Sequence, residues 1–166
     1  MTESTRPHKP GRAAGIDFGT VRVGIAISDP SWTWSSPLEI RTRSGKDADA
    51  KYFQKLVKEN DISLFVVGLP VYLDGNESQK SIQAREFAQW LTQTTGVPHE
   101  FFDERFTSVE AENFLMAADM TKKRRKKRID KVAAQILLAA YLESKANREK
   151  SAEQRRDDSI QPIDDN

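Results

Sequence analysis

The sequence predicts an α/β protein with a mixed five-stranded sheet and helices on both faces. Residues 13–42 contain three short apolar stretches separated by tight polar turns, a pattern typical of an antiparallel meander. Downstream, apolar residues at helical spacing alternate with short continuous apolar runs, which indicates strands that pair in parallel through helical connections. These two patterns predict a sheet in which an antiparallel half joins a parallel half.

The meander is predicted from its apolar runs and its turns. The first two strands are separated only by a Gly-Thr turn, so they must run antiparallel. Asp29 and Pro30 form the next turn, and a loop with Trp32 and Trp34 leads to a shorter third strand. The tryptophans are expected to serve in packing or partner contacts. The predicted strands are residues 13–19, 21–28 and 37–42.

The alternating part begins where the period of the apolar residues changes from two to that of a helix. Phe53 and Leu56 lie on the apolar face of a first helix, whereas residues 62–68 are apolar almost throughout, as in a strand buried on both faces. Gly96 ends a second helix. The predicted strands are residues 62–68 and 99–103, and the predicted helices are 47–60, 78–95, 129–146 and one that starts at 107 or 108 and ends near 117.

Most of the chain is predicted to form one domain. Its length of 166 residues is typical of a single hydrophobic core. Residues 1–12 lack periodicity and are predicted to be a flexible arm, so the domain is expected to span residues 13–147. Residues 148–166 are charged and carry no apolar stripe, which predicts a disordered tail.

The composition limits the chemistry that the protein can carry. The chain has no cysteine and only two histidines, which excludes disulfides, cysteine nucleophiles, thiolate metal sites and a histidine-rich zinc site. Any bound metal must therefore be held by oxygen, which favours Mg²⁺ or Mn²⁺. No run of about 18 apolar residues is present, and residues 1–12 lack the apolar segment of a secretory signal. We therefore expect a soluble, cytoplasmic protein with no membrane partner.

One carboxylate stands out in the first predicted strand. Asp17 lies between Gly15 and Gly19 in an otherwise apolar stretch. A buried carboxylate is costly unless it is paired or holds a cation, and the absence of side chains at the glycines lets a phosphate or a metal approach the strand. A strand-end aspartate that caps a turn explains the local pattern equally well.

The predicted topology brings further acidic residues toward Asp17. Ligands gather at the carboxyl ends of parallel strands, and the strands in question end at Asp17, at Gly68 and at Asp103-Glu104. These ends converge if the fourth and fifth strands flank the first in parallel. Asp130, which opens the last helix, is then expected to face the same edge.

Four stretches follow one another along the chain: GIDFGTVRVGIAISD (15–29), VVGLPVYLDGNES (66–78), FFDERFTSVEAE (101–112) and KRIDKVAAQILLAAYL (127–142). In this order they resemble the YqgF/RuvX family, which is assigned to pre-16S rRNA processing or Holliday-junction resolution and has the ribonuclease H fold. The resemblance covers residues 13–145. It implies a catalytic and metal-binding set of Asp17, Glu104 and Asp130, with two Mg²⁺ or Mn²⁺ ions as cofactors. Two such ions would activate water and neutralise the leaving oxygen of a phosphodiester.

Basic residues near the predicted site indicate a nucleic-acid partner. Arg22 and Arg105 are candidates for phosphate contacts, although surface arginines are equally consistent with the pattern. Seven consecutive basic residues precede Asp130, and because like charges repel, this segment should be mobile unless anions neutralise it. The predicted nucleic-acid contacts in this run are Lys122, Lys123, Arg124, Arg125, Lys126, Lys127 and Arg128.

Three functional classes remain open at this point. The first is a nuclease, which by the resemblance processes the 5′ end of precursor 16S rRNA in ribosome biogenesis or, alternatively, resolves Holliday junctions in DNA recombination and repair. A resolvase must act as a dimer, whereas the rRNA nuclease can be a monomer or a homodimer. The second class is a non-catalytic ribosome assembly factor. The third is an ATPase, since the Asp-x-Gly-Thr turn also resembles a phosphate loop of sugar kinases, but the chain contains only one copy of the domain that these proteins duplicate.

Overall fold

The computed structural model confirms the predicted α/β architecture. It describes residues 11–70, 78–104 and 121–159, except for the side chains of residues 122 and 125–131. Five strands form one sheet in the spatial order β3-β2-β1-β4-β5. The strands are β1 (Arg12–Phe18), β2 (Arg22–Ser28), β3 (Ser35–Thr42), β4 (Ile62–Leu69) and β5 (His99–Asp103), and the helices are α1 (Lys46–Asn60), α2 (Gln79–Thr95) and α3 (Lys122–Ser159).

The antiparallel half is the predicted meander. β1 pairs with β2 through a register that places Asp17 opposite Gly24, and β2 pairs with β3 so that Gly24 also lies opposite Ile40. The turn between β1 and β2 depends on Gly19, because a Cβ at this position would lie 2.3 Å from the backbone oxygen of Arg22. A glycine is therefore required where the chain reverses immediately after Asp17.

The parallel half places β4 and β5 beside β1. β4 pairs in parallel with β1, with Ile16 opposite Val67, and β5 pairs in parallel with β4, with Asp103 opposite Leu69. β4 is buried along nearly its whole length, as its continuous apolar run predicts. The predicted convergence of the ends of β1, β4 and β5 at one edge of the sheet is therefore confirmed.

Each face of the sheet has its own hydrophobic core. One core joins the sheet to α1 and α2 and includes the buried rings of Phe18, Phe53 and Phe87. The other joins the sheet to α3 through residues such as Leu138 and Tyr141. Because side chains alternate along a strand, Phe18 points to the α1 and α2 face and its neighbour Asp17 points to the α3 face.

The last helix is longer at both ends than the sequence predicted. It begins at Lys122 rather than at residue 129 and continues to Ser159 rather than 146, so residues 148–159 are helical and not disordered. The basic run at 122–128 likewise forms the first turns of α3 instead of a mobile connection. None of the helices in the described ranges is apolar over a length that would cross a membrane. The arm at 1–10, the predicted helix near 107–117 and residues 160–166 lie outside the described residues.

Candidate active site

Asp17 has glycines beside it on both neighbouring strands. Its partner on β2 is Gly24, and the residue that follows the Ile16–Val67 pair on β4 is Gly68. A Cβ added at Gly24 would lie 3.4 Å from the Cβ of Asp17, so the absent side chain leaves space directly beside the carboxylate. Gly24 and Gly68 thus form a glycine floor beside Asp17, where the neighbouring strands contribute no side chain of their own.

Glu104 lies over the second glycine of this floor. Its backbone N–H donates to the carbonyl of Leu69 at 3.1 Å, which fixes the residue just beyond the end of β5. A Cβ at Gly68 would lie 2.9 Å from Oε1 of Glu104. The Glu104 side chain thus occupies the space that a larger residue on β4 would fill, next to Asp17.

Helix α3 covers the same face of the sheet, and its contacts show where the backbone of Asp130 lies. The Cβ of Ala134 lies 3.6 Å from the position of a Cβ at Gly24, and Cδ2 of Leu137 lies 3.2 Å from the corresponding position at Gly68. Asp130 precedes Ala134 by four residues, which is one helical turn. The backbone of α3 therefore runs from the glycine floor directly to Asp130, whose side chain lies outside the described residues.

The electrostatics of Glu104 show that the two acids interact. Burial raises the pKa of Glu104, the charge of Asp17 raises it further, and Asp103 adds to the increase. Lys80 opposes this shift and lowers the pKa. Two like charges are thus held near each other in a partly desolvated site, an arrangement that is typical of functional sites.

Lys80 is a site residue that sequence reasoning missed. It lies in the first turn of α2, a helix whose N-cap Ser78 accepts a hydrogen bond from the N–H of Ser81 at 3.0 Å. In the sequence Lys80 is an ordinary basic residue of an amphipathic helix, and its charge reaches Glu104 only because α2 begins near the end of β5. The apolar residues at helical spacing predicted this helix but not its proximity to Glu104.

The donor chemistry of the site fits a divalent cation. Asp17 and Glu104 supply only oxygen ligands, and a cation between them would relieve the repulsion that raises the pKa of Glu104. Among the side chains that the structure describes, no group of three His, Cys, Asp or Glu residues is placed to hold an ion. The side chain of Asp130 is not one of those described. Of the three predicted ligands, the structure describes the side chains of Asp17 and Glu104.

The predicted nucleic-acid contacts have different positions in the structure. Arg22 is exposed at the start of β2, two residues before Gly24, so it lies on the face of the sheet that carries Asp17. Lys123 and Arg124 are exposed in the first turn of α3. Arg105 and the side chains of residues 122 and 125–128 lie outside the described residues.

The chain is similar to a family of known proteins over most of its length. A family model described as "RuvX: Holliday junction resolvase" matches residues 11–144. A protein of Rhodopirellula baltica named "Putative pre-16S rRNA nuclease" is 50% identical over 134 residues, which cover 81% of this chain and 78% of the relative. A protein of Koribacter versatilis with the same name is 39% identical over 143 residues, covering 86% of this chain and 92% of the relative.

A solved structure has the same architecture. The RuvC protein of T. thermophilus, solved in complex with a Holliday junction substrate, matches with a TM-score of 0.50 at 15% sequence identity. The match covers 81% of this chain and 96% of that protein. At this identity the likeness concerns the fold alone, and it agrees with the predicted ribonuclease H-like arrangement of the sheet and helices.

Proposed function

This chain belongs to the RuvX family, and on that premise we propose that it is a metal-dependent nuclease that processes the 5′ end of precursor 16S rRNA. The names of its relatives support nuclease activity and this substrate. Ribosome biogenesis would place the protein in the cytoplasm. It would act there on structured RNA as a monomer or a homodimer.

The observation that carries this proposal is the convergence of Asp17 and Glu104 on a floor of two glycines. Glu104 lies against Gly68, and the charge of Asp17 raises its pKa. Beside the acids, at Gly24, the nearest described atoms belong to Asp17 and to the small side chain of Ala134. A phosphodiester backbone is narrow and anionic, so it needs both an open approach and a positive charge that offsets the acids.

In our proposal Asp17, Glu104 and Asp130 hold two Mg²⁺ or Mn²⁺ ions. When bound, such ions supply an activated water and neutralise the charge that develops on the leaving oxygen. Glu104 must lose its proton before it can act as a ligand, and its raised pKa makes this step sensitive to pH. Lys80 keeps Glu104 ionised to lower pH than burial and the charge of Asp17 alone would allow.

Basic residues on the same face would bind the substrate. Arg22 lies on the Asp17 face, and we propose that it contacts a phosphate beside the cleaved bond. The basic run at 122–128 would bind the sugar-phosphate backbone further along, and Arg105 would contribute from the segment after Glu104. Each neutralised phosphate releases counterions, so binding should weaken steeply with salt.

Cleavage of a labelled precursor 16S rRNA 5′ end, with Mg²⁺ or Mn²⁺, tests the proposal. Asp17→Asn keeps the size of the side chain but removes its charge, and cleavage should fall by about 100-fold or more. Asp47→Asn is the matched control, because Asp47 is exposed in the first turn of α1, and it should cleave like wild type. Full cleavage by Asp17→Asn, or RNA binding without any metal-dependent cleavage by wild type, would contradict the proposal. The second result would favour a non-catalytic assembly factor.

Junction resolution is the second candidate, favoured by the description of the matching family model. A resolvase must present two active sites to opposed strands, so it should be dimeric and cut a synthetic four-way junction symmetrically. The same variants, assayed on this junction, decide between the candidates. If the protein cuts the junction symmetrically and leaves the rRNA precursor intact, junction resolution would replace rRNA processing as the proposed function.

A further inference from the structure

A cavity lies close to Asp17 but on the opposite face of the sheet, the face that packs against α1 and α2. It encloses about 280 Å³ between the end of β1, the connection from β3 to α1, and α2. Phe18 lines it, and Phe18 directly follows Asp17 in β1. Thr20, from the turn after β1, also lines it. The cavity and the acid pair are therefore separated only by the thickness of one strand at the edge of the sheet.

The walls of the cavity are aromatic. The ring of Phe87 lies 5.1 Å from that of Phe18 and 5.5 Å from that of Trp90, with both pairs tilted by 35°. Phe18 and Phe87 are buried, whereas Trp90 is partly exposed toward the cavity. The volume is near the lower end of the roughly 300–1,000 Å³ range of ligand sites, so a single planar ring system fits better than a larger molecule.

The guanidinium of Arg43 lies over two of these rings. Its guanidinium carbon lies 5.5 Å from the ring centres of both Phe18 and Phe87. Its side chain is held by the carboxylate of Asp49 at 3.9 Å and donates to the carbonyl of Thr20 at 3.4 Å. Asp49 is itself buried and accepts a hydrogen bond from the backbone N–H of Ser44. A guanidinium plane in this position offers a stacking surface for a nucleobase.

The charges around the cavity favour a neutral ligand with polar edges. Arg43 and Lys46 are balanced by Asp49 and Glu86, so the described part of the lining carries no net charge that would attract a bare phosphate. Gln83 adds an amide that can both donate and accept hydrogen bonds. An aromatic ring with donors and acceptors on its rim matches this lining, and its phosphate would remain outside, at the sheet edge.

We propose that this cavity is a subsite for one unpaired nucleobase of the substrate, next to the nucleotide whose phosphate lies at Asp17. The inference rests on the proposed nuclease function and adds a substrate property to it. The scissile region must be single-stranded at this position, since a paired base cannot enter the cavity. Arg43, Trp90 and Gln83 would then decide which nucleotide follows the cleaved bond.

Photo-cross-linking of a short single-stranded RNA that contains 5-iodouridine tests the subsite. The complex is formed without divalent ions, so that the RNA remains intact, and cross-linked peptides are identified by mass spectrometry. We expect a cross-link at Trp90. It should be lost in Arg43→Gln and retained in Lys51→Gln, an exposed position on α1 that does not line the cavity. If Arg43→Gln does not fold by circular dichroism, Gln83→Phe replaces it. This change, at a partly exposed position of the lining, would fill the cavity and should likewise abolish the cross-link.

Affinity provides an independent readout. Wild type should bind the single strand about tenfold more tightly than the same sugar-phosphate chain without bases, and this ratio should shrink in the Arg43 variant. Cross-links confined to α3, or an unchanged affinity ratio in the Arg43 variant, would overturn the subsite. If wild type still cleaves the RNA, the nuclease proposal stands in either case. A wild type that neither binds nor cleaves RNA would overturn both.

Discussion

Replacement of Gly68 by alanine should separate catalysis from stability. The new Cβ would lie 2.9 Å from Oε1 of Glu104, the far end of a flexible side chain, and 3.2 Å from Cδ2 of Leu137. Carbon contacts are relaxed at about 3.5 Å or more, so the carboxylate must move by roughly half an ångström. Displacements of about 0.5–1 Å in a catalytic group cost up to about 100-fold in rate. We therefore expect cleavage by Gly68→Ala to fall by about 10- to 100-fold.

The fold should tolerate this change. Alanine restricts the unfolded chain by about 0.4–1 kcal/mol relative to glycine, which offsets most of the local crowding. The free energy of unfolding, measured by urea titration, should therefore stay within about 1 kcal/mol of wild type.

Gly15→Ala is the matched comparison on a neighbouring strand. Here the new Cβ would lie 2.8 Å from the backbone oxygen of Ala134 and 2.8 Å from the Cβ of Leu138, neither of which can rotate away. Helix α3 must shift as a unit, at a cost of about 1–3 kcal/mol of unfolding free energy. Full cleavage by a stable Gly68→Ala would refute the assignment of Glu104 to the site. Equal losses of stability in both variants would refute the expectation that the Glu104 side chain yields to the new Cβ.

Three further results are expected from the charges of the site. Glu104→Gln should raise the unfolding free energy of the metal-free protein by about 0.5–2 kcal/mol at neutral pH, because the folded state penalises the ionised carboxyl. This gain should shrink as the pH falls through the raised pKa of Glu104, and urea titrations that show the same gain at acidic pH would contradict it. Lys80→Gln removes the charge that lowers the pKa of Glu104, so the acidic limb of the pH–rate profile should move to higher pH; an unmoved limb would exclude Lys80 from the site. Combined Lys123→Gln and Arg124→Gln should reduce the slope of log Kd against log salt by about 0.7–0.9 per lost phosphate contact, and fluorescence titrations with an unchanged slope would show that these exposed residues do not bind RNA.

The sequence predicted the part of the site that depends on sheet topology. Asp17 was singled out by its glycine neighbours, and the expected strand order brought the end of the fifth strand, Asp103-Glu104, to the same edge. The choice of Glu104 came from the family resemblance. Lys80 and Arg43 could not be found in this way. Their roles depend on how α2 and the β3–α1 connection pack, and neither contact has a signal in the spacing of residues.

The last helix is longer than predicted for a different reason. Residues that flank 129–146 lack an apolar stripe, and this lack was interpreted as disorder. Lysine, arginine, glutamate, glutamine and alanine are nevertheless good helix formers, and the central part of α3, anchored by Leu138 and Tyr141, supplies the nucleus that a helix otherwise forms at high cost. Elongation from this nucleus needs no burial. The missing stripe therefore indicated exposure rather than disorder.

The extended helix gives the basic run a consequence that a mobile loop would not have. Cations in the first turns of a helix oppose its macrodipole and repel one another, so Lys123 and Arg124 make the start of α3 electrostatically unfavourable. Phosphates bound there would remove both penalties. Since Asp130 follows on the same helix, one turn before the packed Ala134, nucleic acid that binds the basic turns would also stabilise the segment that carries the third proposed carboxylate. If Asp130 is the third ligand, as we propose, substrate binding and assembly of the active site would be coupled through this single helix.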